Sequence, residues 1–301
     1  MRYYNRRFVL RSGIAIITGY WATSQYATQA AENTVSVSTA EEFARAIAPN
    51  RTIELNPGAY ILSDLVDRDL GEYARFNSVF DGEEIVISGV ENLKIIGLGD
   101  RPPQILTRPR YADVLSFVNC QNIAIENIES GHSPEPGSCT GSVLSFDNCQ
   151  GIDIDRCILF GSGMMGIDAK QTQNLTCRNT TIHGCTYYIL AFYRVQNSKF
   201  ESCEFYDNER YKMVVLRDSS NIEFDRCEFR NNQVIWDTSW TSIDPDDYAF
   251  FAVVNSSSIV VRESQFQGNR APYFVSDVNA IEFIDTTFTD NDFPDNFPIL
   301  Q

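Results

Sequence analysis

Apolar and polar residues alternate in short bursts along the second half of the chain, and the bursts recur. Ile123-Ala-Ile125-Glu-Asn-Ile128 lines up with Ile152-Asp-Ile154-Asp-Arg-Cys157 and with Leu175-Thr-Cys177-Arg-Asn-Thr180. Ser198-Lys-Phe200-Glu-Ser-Cys203, Ile222-Glu-Phe224-Asp-Arg-Cys227, Ile259-Val-Val261-Arg-Glu-Ser264 and Ile281-Glu-Phe283-Ile-Asp-Thr286 continue the series. Their first residues lie 29, 23, 23, 24, 37 and 22 apart. Alternation of this kind is strand periodicity. A unit near 23 residues with two longer insertions marks a solenoid.

Each unit carries two further apolar segments. One comes about six residues earlier: Leu115/Phe117, Leu144/Phe146, Ile167/Ala169, Leu190/Phe192, Val214/Leu216, Phe251/Val253 and Tyr273/Val275. The other follows: Leu159, Ile182, Phe205, Phe229, Phe266 and Phe288. One turn therefore holds three short strands, which predicts an all-β fold, a right-handed parallel β-helix with turns about 4.8 Å apart. Residues 51 to 292 are expected to form stacked turns of parallel strands, with Phe205, Phe229, Phe266 and Phe288 in one buried column. Asn208, Asn232, Asn269 and Asn291 fall three residues after those positions. Asn tolerates left-handed turn geometry, so this second column reads as a structural ladder at a recurring bend.

The chain divides into three parts. Residues 1–30 read as a targeting segment: Asn5-Arg6-Arg7-Phe8-Val9-Leu10-Arg11, an apolar stretch from Gly13 to Trp21, then small residues up to Thr28-Gln29-Ala30-Ala31. The arginine pair resembles the consensus of the twin-arginine export pathway, with Val9 in place of its usual Phe. The apolar run is shorter than the ~20 residues a membrane span needs. No Cys follows it, which argues against a lipoprotein. Residues 31–50 form a polar linker and a capping helix over Ala40 to Ile47, with Thr39 as N-cap. The helix would cover core residues and strand edges at the open end of the solenoid. Residues 51–301 are the β-helix proper. A polar excursion from Asp64 to Asn77 interrupts its first turns.

Charge narrows the partners. The chain has 24 basic and 40 acidic residues. Residues 1–30 hold four arginines and no acid, so the remainder is 20 minus 40, or −20. Such a surface repels nucleic acid and anionic membranes. It also repels a polyanionic substrate unless a cation or a local basic patch intervenes. None of the eight cysteines has C-x-x-C spacing, which argues against a zinc knuckle. Cys120 and Cys149 share one repeat position, and Cys157, Cys203 and Cys227 another. Aligned thiols on stacked turns read as small buried hydrophobes, with Cys203 and Cys227 able to approach one another.

The cap helix, the Asn ladder and the N-I-x-I units resemble the pectin-lyase-like superfamily of right-handed β-helices, over residues 38 to 292. That resemblance implies a substrate face on the outside of the first sheet, between insertion loops. The superfamily includes polysaccharide lyases, epimerases, hydrolases and non-catalytic surface proteins, among which fold alone does not choose.

The register shows what such a face would carry here. One outward column is Val118, Asp147, Lys170, Tyr193, Arg217, Val254, and a second is Ser116, Ser145, Asp168, Ala191, Val215, Ala252. Asp147, Asp168, Lys170, Tyr193 and Arg217 thus gather on consecutive turns, with Arg194 and Asp218 beside them. In β-elimination or C5 epimerisation of a uronate, Lys170 or Tyr193 would be the base and Arg217 the clamp on the carboxylate. The same residues could equally form a solvated charge ladder, Asp168 against Lys170 and Arg217 against Asp218. Asp147 and Asp168 on adjacent turns could supply the close carboxylate pair of a retaining glycosidase, though no adjacent Asp-Asp pair with a downstream Gly-His occurs on this face.

Two insertions are expected to flank that face. One runs from Gly131 to Gly141 with His132 and Glu135, the other from Gln233 to Ala249 with Trp236 and Trp240. His132 and His183, the only histidines, are placed in loops facing the first sheet as candidate acid–base groups. Tyr187, Tyr188, Tyr211, Trp236 and Trp240 offer aromatic faces for sugar rings. No cofactor is required, although Asp244, Asp246 and Asp247 could bind Ca²⁺. The resulting expectation is an exported, periplasmic or extracellular protein whose partner is a glycan, acting as a lyase or epimerase. A non-catalytic envelope module that binds glycan or protein is the competing expectation.

Overall fold

The computed structural model describes residues 33–133, 140–161, 165–235 and 245–293. Among them run three long sheets of nine, ten and nine strands, called sheets 1, 2 and 3 in the order the chain visits them within a turn. Sheet 1 contains Leu115–Val118, Ser142–Asp147, Met165–Lys170 and Tyr188–Tyr193. Sheet 2 contains the recurring N-I-x-I units, such as Gln121–Glu126, and sheet 3 the short strands, such as Ile158–Phe160. Like residues pair across turns: Leu144 with Ile167 and then Leu190, Ile152 with Leu175, Phe205 with Phe229. The arrangement is the expected parallel β-helix.

Each turn has three bends, and most of the described ones use one device: a left-handed residue followed by an inward side chain. After sheet 1 the left-handed residues are Asn119, Asn148, Gln171, Arg194 and Asp218, with φ from 49° to 58°. Buried Cys120, Cys149, Thr172, Val195 and Ser219 follow them. After sheet 2, Arg156, Asn179, Ser202 and Arg226 precede buried Cys157, Thr180, Cys203 and Cys227. This device corrects the reading of the Asn ladder. The left-handed conformation belongs to Asp207, Asn231, Gly268 and Asp290, one residue ahead of the asparagines. The asparagines serve instead as internal hydrogen-bonding posts. Asn208 Nδ2 donates to Asn232 Oδ1 (2.8 Å), Asn232 Nδ2 to Asn269 Oδ1 (2.9 Å) and Asn269 Nδ2 to Asn291 Oδ1 (2.9 Å). Asn232 Nδ2 also donates to the carbonyl of Phe205 at 2.9 Å, satisfying backbone that the corner leaves unpaired.

The core is aromatic. Phe205, Phe229 and Phe266 stack with ring centroids 4.7 and 4.5 Å apart, and Phe288 continues the column at 5.0 Å. The first three are buried; Phe288 is only half-buried because its strand, Thr287–Thr289, is the outermost of sheet 3. The seven described cysteines are free and buried, while Cys139 lies outside the described residues. Cys203 Sγ sits 3.8 Å from Cys177 Sγ. Burial pushes the Cys157 and Cys185 thiols up to about 12, as expected of unreactive core groups.

The amino-terminal end differs from expectation in two places. Asn33–Val37 is already a strand, paired in parallel with Arg51–Leu55, so sheet 2 begins inside the stretch read as a linker. The capping helix follows at Ala40–Ala46, where Thr39 Oγ1 accepts the Glu42 N–H at 3.1 Å and Glu42 Oε2 accepts the Ser38 N–H at 2.8 Å. Phe43 is fully buried by this helix and meets Tyr60 edge to face. The second departure is an antiparallel pair, Ala74–Val79 with Gly82–Ser88, inside the region expected to be wholly parallel. A two-residue loop allows only an antiparallel return, and the hairpin covers what would otherwise be the open edge of sheet 1. No helix among the described residues is long and apolar enough to cross a membrane.

Candidate functional site

The outer face of sheet 1 carries the expected column in register: Val118, Asp147, Lys170, Tyr193, Arg217 and Val254 lie opposite one another on successive turns. Parallel strands in register place Lys170 and Arg217 two strand spacings apart, roughly 10 Å. Arg217 and Arg194 are exposed, and Arg194 occupies a left-handed bend position. No ion pair holds Arg217 to Asp218 among the described residues.

The neighbouring column was expected to face solvent and does not. Ser116, Ser145, Asp168, Ala191, Val215 and Ala252 are all buried. Val215 and Ala252 are shielded without joining the continuous core, so the outer face has its own floor of small residues. Longer neighbours fold over it. The Lys170 ammonium reaches back to Asp168 Oδ2 at 2.9 Å. Asp168 Oδ1 has no hydrogen-bond partner among the described residues.

Charge is concentrated at this point. Burial raises the Asp168 carboxyl above the ordinary carboxylate range; its bond to Lys170 opposes the shift and the field of Asp147 adds to it. Burial works against the charge of Lys170, but the hydrogen bond to Asp168 and the fields of Asp168, Asp113 and Asp147 prevail and hold the ammonium above its usual range. A lysine in that setting is a poor base near neutrality.

Asp113 belongs to the same cluster and was not anticipated. Its Oδ1 accepts the Ser142 N–H at 2.8 Å and the Ser142 hydroxyl, and its own N–H donates to Glu84 Oε2 at 2.9 Å. The residue keeps some exposed surface, but neighbours crowd the carboxyl itself. That desolvation pushes it up to about 6, against the two Ser142 hydrogen bonds and with help from Glu84 and Asp168. Asp113 sits two positions before the strand Leu115–Val118, where the strand pattern offers no cue. The sequence signal available was its alignment with Ser142.

A stability test follows. An acid whose folded-state value lies above its unfolded one penalises folding fully above about pH 6, and the penalty fades as pH falls towards about 4. Asp113→Asn should therefore melt higher than the parent at pH 7, and the gap should close by about pH 4. A gap independent of pH in thermal melts would show that Asp113 does not titrate in this window.

Aromatic residues form one edge of the face. Tyr187 stacks obliquely on Tyr211 (4.2 Å between centroids) and meets Tyr188 edge-on at 4.9 Å. Burial, then the nearby Tyr193 and Tyr187 hydroxyls and Asp247, raise Tyr188 and keep it neutral. Lys212 Nζ reaches Asp247 Oδ1 at 3.2 Å in the same region.

The histidines are not loop groups. His132 ends the sheet 3 strand Glu129–His132 and is buried, with Nε2 2.7 Å from the Ala112 carbonyl; burial lowers its pKa. His183 ends Thr181–His183, also in sheet 3, and stacks on Tyr206 at 5.0 Å. His183 therefore belongs to a different face, and His132 bonds to Ala112 in the segment that precedes the sheet 1 strand Leu115–Val118. Glu135, Trp236, Trp240, Asp244 and the side chain of Asp246 lie outside the described residues. No group of three or more His, Cys, Asp or Glu side chains among the described residues is arranged to hold a metal ion.

Comparison with known proteins bears on the fold. A pectate lyase from Paenibacillus sp. 0602 superposes with a TM-score of 0.51 at 11% identity, covering 86% of this chain and 78% of its own. A pectate lyase from Bacillus sp. N165, solved with trigalacturonate, gives 0.44 at 12% identity over 90% and 88%. No curated protein matches the chain in sequence. The family described as "Right handed beta helix region" matches residues 116–293, more than half of the chain. The protein is accordingly a member of that right-handed β-helix family.

Proposed function

We propose that the protein processes a polysaccharide along the outer face of sheet 1, with proton transfer carried by the carboxyl groups gathered around Lys170. The observation that supports this most is Asp168, a shielded carboxyl with one oxygen on Lys170 and the other unpartnered, beside a second carboxyl raised to about 6. A carboxyl raised to about 6 near a carboxylate paired with a lysine provides one acid and one base, the two groups that acid–base work on a glycosidic bond uses. Asp113, protonated below about pH 6, donates its proton to the leaving oxygen as the glycosidic C–O bond breaks; Asp168, ionised against Lys170, takes a proton from the water that forms the new bond to the anomeric carbon. Tyr188, Tyr193, Arg194 and Arg217 line the path of the chain, and Asp147 holds the Lys170 end of it.

Hydrolysis fits this charge pattern better than uronate lyase or epimerase chemistry. Elimination and epimerisation need a free base and a neutralised substrate carboxylate, whereas Lys170 is a committed cation and the acids around it would repel a uronate. The test is a panel of neutral and uronate polymers incubated with the protein. New reducing ends without unsaturated, ultraviolet-absorbing products are expected. Unsaturated ends would return the assignment to a lyase, and no product from any polymer would leave a glycan-binding module.

The proposal includes export by the twin-arginine route. Arg6→Lys with Arg7→Lys should retain precursor inside the cell, seen by fractionation and immunoblot. Normal export of that double variant would point to the general secretory route.

A further inference from the structure

We propose that Phe80 and Tyr111 form a sugar-stacking subsite for a neutral pyranose at the amino-terminal end of sheet 1. This inference rests on the polysaccharide reading above and extends it to a second point of contact. Phe80 is 87% exposed, the most exposed large apolar side chain among the described residues. It occupies the two-residue loop of the hairpin Ala74–Val79/Gly82–Ser88. Such loops ordinarily carry Gly, Asn or Asp, so turn chemistry does not call for a phenyl ring. Its one aromatic neighbour among the described residues is Tyr111, with ring centroids 5.0 Å apart and planes inclined at 55°.

The pair is held in place from beneath. Asp81 Oδ2 accepts the Arg110 N–H at 2.7 Å and its Oδ1 accepts the Tyr111 N–H at 3.1 Å. One carboxylate thereby ties the hairpin tip to the loop that carries Tyr111. Gly82 lets the two segments touch, since a Cβ there would meet Pro109 Cγ at 2.5 Å. Two residues further on, Glu84 accepts the Asp113 N–H. With the backbone on so fixed a mount, only the ring's own rotamers are left to order when a ligand arrives.

Position and charge identify the ligand. The strand Gly82–Ser88 lies three strands from Met165–Lys170 in sheet 1, roughly 14 Å at ordinary strand spacing. A ligand that touches both must be a chain of several sugar units. The apolar C–H face of a pyranose suits an aromatic ring. Asp81, Glu83 and Glu84 on the hairpin outnumber Arg75 and Arg110 around it, a balance that disfavours a uronate carboxylate at this point.

The test is affinity electrophoresis in gels cast with hydroxyethylcellulose, xylan, mixed-linkage β-glucan or polygalacturonate. A neutral polymer is expected to retard the parent protein. Phe80→Ala or Tyr111→Ala should weaken that retardation about tenfold in apparent dissociation constant, with Phe80→Trp restoring it and thermal melts unchanged. Retardation of both alanine variants equal to the parent overturns the subsite and leaves the polysaccharide reading intact. Retardation by polygalacturonate alone overturns the neutral sugar. No retardation by any polymer overturns the subsite together with the reading it rests on. Retardation sensitive to Phe80 but without product from any polymer supports the subsite and removes only the catalytic assignment.

Discussion

Phe229→Ala is expected to lower the unfolding free energy by about 3–5 kcal/mol, read from urea melts with an unchanged denaturant slope. The ring lies between Phe205 and Phe266 in its own column and also meets Phe224, Phe250 and Phe251, each at 5.9 Å. Those five rings come from four strands of the same and adjoining turns, Phe250 and Phe251 sharing one. A cavity at Phe229 therefore removes contacts in every direction, and rigid sheets on three sides allow little collapse. A loss below about 1 kcal/mol would mean that the column repacks, contrary to the packing described.

Asp168→Asn is expected to reduce turnover by about 10²–10⁴-fold on whichever polymer the protein cleaves, while the fold is retained. The replacement is nearly isosteric and neutral, so the shielded pocket suffers no clash. It removes the proton acceptor and the counter-charge that holds Lys170 at 2.9 Å. The measurement is initial rate at saturating polymer across pH. In the parent, activity should fall above about pH 6 as Asp113 loses its proton, and Asp113→Asn should abolish that limb. Full turnover by Asp168→Asn would dismiss the acid–base role outright.

The fold was legible because a solenoid repeats its evidence. Ile154 alone says little, but Ile125, Ile154, Cys177, Phe200, Phe224 and Val261 at one register position fix a column. The column Asp147, Lys170, Tyr193, Arg217 was legible for the same reason. What a repeat does not reveal is whatever happens between columns. Lys170 folding over Asp168, and the resulting shielding of a face counted as outward, depend on side-chain reach. Asp113 escaped notice because it precedes the alternating segment, and its environment comes from Ser142 and Glu84, 29 residues away on either side. The hairpin was missed although Asp81-Gly82 is a usual turn pair, because the loop is Phe80-Asp81 and the glycine falls one position later, at the start of the returning strand. The Asn ladder was located correctly and explained wrongly: one position separates the residue that bends the chain from the residue that is buried by the bend.

The three-bend device has a consequence for how such a chain can change over generations. Because every bend is completed within one turn, a stretch of about 23 residues is a closed structural unit that begins and ends in the same register. Duplication or loss of one whole unit leaves strand pairing, bend geometry and inward columns intact on both sides. A gain or loss of one residue inside a strand would instead turn its core side chains outward. Inheritance can therefore alter the length of the outer face only in steps of one strand spacing, about 4.8 Å. A duplicated turn inserted between Gly82–Ser88 and Met165–Lys170 would move the hairpin tip away from the Asp168 site by one such step, tuning the span of chain the face accepts while every contact within each turn is copied unchanged.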